Sequence, residues 1–272
     1  MQRVLIPLLI LVAVAPAMGQ SKPADTLDHY FTSLPANLAL KEPVPERYAF
    51  TTDYFQLDTT GNLINKHRVY GEYTRGLPGG KARWDNVRIA RAKTLDDLFP
   101  AGDPQAYMDG FSYDPSAVAS PNLFAGFPDN LDAKNLVYDT VMFETYAWSF
   151  WDKLKLDQPY RLHLPDAPLP GGSFHNQQPE LTWIGLSQRN GKLCAMIQYE
   201  AFFNKLQLAT NGMTINGRSH YWGTIWVSLS DKQIEYGTLR EDVLSGLQVP
   251  GPNGKQNVTL NVFREGTFER IK

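Results

Sequence analysis

The sequence predicts a mainly β fold: a curved antiparallel sheet wrapped around one packed helix. Three observations predict it. Segments of strict alternation recur along the chain, as in Tyr48, Phe50, Thr52, Tyr54 and Gln56 on one face against Ala49, Thr51, Asp53, Phe55 and Leu57 on the other. Asn190-Gly191 separates two such segments, and this pair marks a tight hairpin because both central positions need positive φ. Leu136 to Leu154 contains neither Gly nor Pro and is apolar around most of its circumference, as a helix buried under more than one layer would be.

The elements follow in order. Ala24 to Leu40 reads as a short helical or irregular lead-in. Strands start at Arg47, at Leu63 after the turn around Gly61, and at Trp84 after "GLPGGK". In the third strand Asp85, Val87 and Ile89 are expected on one face, and Trp84, Asn86 and Arg88 on the other. Residues 94–135 form a loop-rich insertion, dense in Pro and Gly, that covers a sheet edge or carries a working surface. Its aromatics, among them Phe99, Phe111, Tyr113, Phe124 and Phe127, argue against disorder. Leu136 to Leu154 is the helix, with Asp132 as its cap. Thr182 to Arg189 and Lys192 to Phe203 are the hairpin, with Arg189 paired to Lys192, Leu186 to Ala195, Ile184 to Ile197 and Thr182 to Tyr199. "NGMTING" offers turns. His220 to Leu229, Gln233 to Leu239 and Asn257 to Phe263 complete a sheet whose simplest topology is a meander.

The first residues read as an export signal. Arg3 precedes an apolar run from Val4 to Val14, and small residues place cleavage after Ala17 or Gly19. The expected organisation is a signal peptide over 1–19 and one domain over 20–272. The apolar run is short for a bilayer crossing and no later stretch supplies a transmembrane segment. No cysteine follows it for lipid attachment. The mature chain is therefore expected to be periplasmic or extracellular. A formal charge of -2 without a basic block argues against nucleic acid. The overall balance also gives no electrostatic reason to sit on anionic lipid.

Cys194 is the single cysteine and reads as a small buried hydrophobe in "LCAMI" more than as a reactive thiol. Asn257-Val258-Thr259 is a glycosylation sequon in a eukaryotic host.

"LTWIGLSQRNGKLCAMIQYE" and "HYWGTIWVSLSDKQIEYGTL" resemble two consecutive strand pairs of the periplasmic lipoprotein-carrier family. The matching positions are Gly185, Asn190, Gly191, Cys194 and Ile197, then Gly223, Ile225, Trp226 and Val227. The family's usual Asp-x-x-Thr-Gly turn is replaced by "SLSDKQ". The resemblance implies that the sheet is strongly curved, a half-barrel, and that it encloses an apolar cavity that holds acyl chains. With the aromatic helix facing a two-sided sheet, the expected ligand-lining residues are Val141, Trp148, Ile184, Ile197, Trp222 and Trp226. The expected function is a non-enzymatic carrier or binding protein for an apolar ligand such as a lipid, with no cofactor. An envelope-protein partner is the structural alternative.

An exported glycan hydrolase is the other alternative. It needs two carboxylates about 5–9 Å apart. Glu72 with Asp85, or Glu144 with a loop aspartate, are pairs to test. Trp183, Trp222 and Trp226 are the aromatics that could stack on sugar or lipid rings. Asp103, Asp109 and Asp114 suit calcium or plain turns. His163, His175 and Glu180 are the only conceivable zinc set, and none of the five histidines has a close metal-ligand spacing. No nucleophile elbow or phosphate loop is present.

Overall fold

A computed structural model describes residues 44–271 apart from 119, 121, 129–130, 165, 170, 211–212 and 252–253. The signal peptide expected over 1–19 and the lead-in over Ala24 to Leu40 lie outside the described residues. Chain order gives β1 (Glu46–Leu57), β2 (Leu63–Leu77), β3 (Lys81–Ala92), β4 (Asp103–Pro104) and β5 (Phe111–Tyr113), then the helix α1 (Leu131–Glu144). Next come β6 (Tyr160–Arg161), β7 (Ala167–Leu169), β8 (Gly172–His175), β9 (Gln178–Arg189) and β10 (Lys192–Thr210). Finally come β11 (Met213–Ser228), β12 (Ile234–Gly251) and β13 (Gly254–Ile271).

All the strands belong to one antiparallel sheet. Its main path runs β4-β3-β2-β1-β13-β12-β11-β10-β8-β7, with β9 also paired to β10. Two meanders, β1 to β3 and β9 to β13, are therefore joined where the first long strand pairs with the last, Phe50 opposite Phe268. The result is mainly β with one packed helix, as expected. The strongly curved half-barrel is not found. The sheet is open, and α1 lies on one of its faces instead of being enclosed. The dimensions explain this. The strands β10 to β13 are 16 to 19 residues long, about 55–65 Å, whereas α1 has 14 residues, about 21 Å. Large rings at Tyr48, Phe50, Tyr73, Trp84, Tyr199 and Phe268, all fully buried, fill the space beneath the helix that a wrapped cavity would need.

The helix begins earlier than expected, at Leu131, so Asp132 sits in the first turn, where it pairs with His67 at 3.0 Å. Regular α-helix stops at Glu144. A wider π turn follows over Thr145–Ser149 and a tight 3-10 turn over Trp151–Lys153. No helix among the described residues is long and apolar enough to cross a membrane.

Alternation fails where a bulge intervenes. The hairpin turn is as expected, with Asn190 at φ 52° and Gly191 at φ 75°. The register holds from Arg189↔Lys192 to Leu186↔Ala195. It then slips by one, so Ile197 faces Trp183 and Tyr199 faces Leu181, not Ile184 and Thr182. Gly185 absorbs the extra residue at φ 143°, a conformation that side-chain-bearing residues rarely adopt. Trp183 and Leu181 consequently enter the core and Ile184 turns outward, 37 % exposed. A second bulge, with Asn86 at φ 55°, puts Trp84 on the same buried face as Val87 and Ile89 instead of the opposite one.

The 94–135 insertion closes over the β3 side of the sheet. Short strands β4 and β5 add to β3, and Phe111, Phe124 and Phe127 pack edge-on or tilted with centroids 4.8–6.4 Å apart.

Candidate functional site

The helix-side layer is anchored on Phe143. Its ring stacks on Phe268 with centroids 5.4 Å apart and meets Phe50 and Tyr199 edge-on at 5.9 and 6.0 Å. It also presses on the backbone of Gly237, where an added methyl would stand 2.6 Å from the ring. Of the expected ligand residues, Ile197 and Trp148 are buried in this layer and Val141 is half-buried on α1. The Trp148 indole N–H donates to the Lys232 carbonyl at 2.8 Å, and the Arg75 guanidinium lies 4.2 Å over its ring. These contacts are those of a packed core.

A buried polar belt bounds that core. The register row Tyr221, Glu241, Arg264, Tyr54 and His67 crosses the sheet here. Arg264 donates both terminal nitrogens to Asp139 of α1 at 2.9 and 3.2 Å, and its Nε to Glu241. Burial raises the Asp139 carboxyl above the ordinary carboxylate range against the pull of Arg264. Two buried carboxylates therefore share one guanidinium.

Beyond the belt the four long strands run on for about ten residues, roughly 34 Å, as a distal lobe. On the helix-side face of the lobe, Leu206, Leu208, Ile215, Val243, Leu247 and Leu260 are only half-buried, and Val258 is 38 % exposed. Leu208↔Ile215↔Leu247↔Val258 form one continuous cross-strand row. On the opposite face Phe203 and Leu244 are exposed. The lobe segments 203–218 and 243–262 contain Lys205, Arg218 and Lys255 and no Asp or Glu. The overall charge of -2 hides this local excess of three positive charges.

The helix-free face of the sheet is polar. A groove of about 470 Å³ crosses its middle, lined by Trp222, Tyr236, Gln198 and a row of threonines. The register sets Thr238 opposite Thr267 and Thr267 opposite Thr51, and the Thr224 N–H donates to Thr238 Oγ1 at 3.1 Å. Two ion pairs flank the row: Arg68 with Asp53 at 2.6 Å and Arg240 with Glu265 at 3.3 Å. Trp222 and Trp226 are half-exposed on this face, and Trp226 leans on Tyr236 at 5.4 Å. A second groove of about 430 Å³ brings together Glu72, Asp85 and Asp109. Glu72 and Asp85 are direct cross-strand partners, as the hydrolase alternative would want. Each is already ion-paired with its own arginine, Arg47 and Arg83 respectively.

The six expected ligand residues thus do not converge. Val141, Trp148 and Ile197 lie on the helix side, Trp222 and Trp226 on the other face, and Ile184 is turned out by the Gly185 bulge. The other expected chemistry resolves into local structure. Asp114 accepts the Ser116 N–H at 2.8 Å and Asp109 the Asn86 N–H at 3.1 Å. His175 pairs with Asp166 at 2.7 Å, while His163 is exposed. Cys194 is fully buried, and burial pushes its thiol up to about 11. The lobe was missed because its strands are rich in Gly, Asn and Gln, which read as turns. The absence of acid over both segments was the signal that could have found it. Comparison with protein-family models and with curated proteins gives no match.

Proposed function

We propose that the protein is an exported, non-enzymatic carrier or binding protein for an apolar ligand such as a lipid or a lipoprotein acyl chain. In this reading the ligand lies on the distal lobe and not beneath the helix. The observation that supports it is the apolar row Leu208, Ile215, Leu247 and Val258, left half-buried or exposed across the ends of β10 to β13. Apolar surface left in water on this scale marks a place where something apolar binds. An acyl chain gains about 0.8 kcal/mol per fully buried methylene, or roughly half that when only one side is covered. Twelve methylenes on the row would then contribute about 5 kcal/mol, a sub-millimolar affinity.

The test is organic extraction of the natively isolated protein, followed by mass spectrometry of the extract. An acyl-containing compound is expected at well below one per chain, since a sub-millimolar ligand leaves during isolation, and saturable uptake of a fluorescent fatty acid is expected at sub-millimolar concentration. An extract without one, together with no uptake of a fluorescent fatty acid, rejects the reading and leaves the lobe as a surface for an envelope-protein partner.

A further inference from the structure

We propose that the central groove on the helix-free face is a second binding site, and that it takes a neutral oligosaccharide. The site is independent of the distal lobe. Its floor is a cross-strand row of threonine side chains, and hydroxyls both donate and accept hydrogen bonds. Trp222 lines the groove and stands half-exposed. Tyr236 is braced from one side by the Arg189 guanidinium, 3.8 Å from its ring centroid. A sugar ring presents the matching chemistry: an apolar C–H face for the aromatic plane and an equatorial rim of hydroxyls for threonine, amide and charged groups.

Charge selects among ligands with that chemistry. Arg68 and Arg240 are balanced by Asp53 and Glu265, each pair in contact. The groove therefore carries no net charge from these side chains, and a strongly anionic or cationic ligand would have to break an ion pair without a replacement. A neutral polyol can bridge both partners of a pair while leaving it intact. The volume of about 470 Å³ lies within the range of small-ligand sites. The groove is open along the sheet, which suits part of a chain more than an enclosed monosaccharide.

The experiment is calorimetric and fluorescence titration of the full mature chain with cellohexaose, maltohexaose and hexa-N-acetylchitohexaose, and with a polygalacturonate oligomer as the anionic comparison. At least one neutral hexasaccharide is expected to bind with indole quenching. Trp222→Ala should weaken it about tenfold or more, while Thr238→Val should weaken it with the fold intact by circular dichroism. Unchanged affinity in Trp222→Ala, binding of the polygalacturonate alone, or binding of none of the sugars would each overturn the proposal.

Discussion

Replacing Phe143 by alanine tests whether α1 is docked on the sheet as described. The ring is fully buried between Phe268, Phe50 and Tyr199 and rests on Gly237. Phe→Ala in such a site removes the transfer free energy of the ring and leaves a cavity, at about 3–5 kcal/mol. The sheet backbone cannot collapse into the space, so the upper half of that range is expected. For a domain of this size each kcal/mol moves Tm by about 2–4 °C, which gives a fall of about 8–20 °C. The contact with Gly237 supplies an internal check. Gly237→Ala alone should cost about 1–3 kcal/mol, because its methyl would stand 2.6 Å from the ring. In the Phe143→Ala background the same methyl enters the cavity and should be neutral or stabilising, a coupling well above the additivity limit. Thermal melts by circular dichroism and urea titrations read all three variants. A Phe143→Ala loss under about 1 kcal/mol, or strictly additive effects, would refute the packing.

Three further outcomes follow from the thiol and the charged groups. Cys194, buried and with its thiol pushed up to about 11, should not react with Ellman's reagent in the native protein at pH 8 and should give one thiol per chain in guanidinium; full native labelling would contradict its burial. Arg264→Met leaves Asp139 and Glu241 buried together and should cost about 3–5 kcal/mol, whereas Asp139→Asn leaves a balanced Arg264–Glu241 pair and should cost under about 1 kcal/mol; equal losses in denaturant titrations would contradict the shared guanidinium. Two aspartates act oppositely in acid. At Asp231, burial is outweighed by hydrogen bonds from Lys192 and Arg270 that hold the carboxyl well below the unfolded value of about 3.9, so its stabilisation is present above about pH 5 and is lost as pH falls below about 4. Asp139 is raised, so its contribution declines as pH rises from about 4. Asp231→Asn should flatten the acid limb of the stability–pH curve and Asp139→Asn should remove the decline above it; unchanged curves would contradict both assignments.

Much of the architecture was legible where local pattern and tertiary role agree. The face Tyr48, Phe50, Thr52, Tyr54 is the buried face of β1 apart from the half-buried Gln56 that ends it, and Asn190-Gly191 turns the hairpin as its φ preference dictates. Legibility ends at positive-φ bulges. Gly185 and Asn86 each insert one residue, and a one-residue slip sends every later side chain to the other face, which is why Ile184 and Trp183 exchange roles. The half-barrel failed for a different reason. Of the lobe only Asn257 to Phe263 reads as a strand, while the Gly, Asn and Pro within 204–219 and 240–256 read as turns, so the sheet looks short enough for one helix to fill. The expected ligand residues divide between the two faces: lining a common cavity depends on which face each strand presents, and alternation alone does not assign Trp222 and Ile197 to opposite sides of the sheet without the strand order.

The most direct test of the account is binding of dansyl-undecanoic acid to the mature protein and to the double variant Leu208→Asn with Leu247→Asn. Both side chains are half-buried members of the lobe's apolar row, outside the core that sets stability. The account predicts probe binding by the parent chain, a loss of at least about tenfold in the variant, and a Tm within about 4 °C of the parent. Equal binding by the two proteins would contradict the assignment of the lobe as the ligand surface.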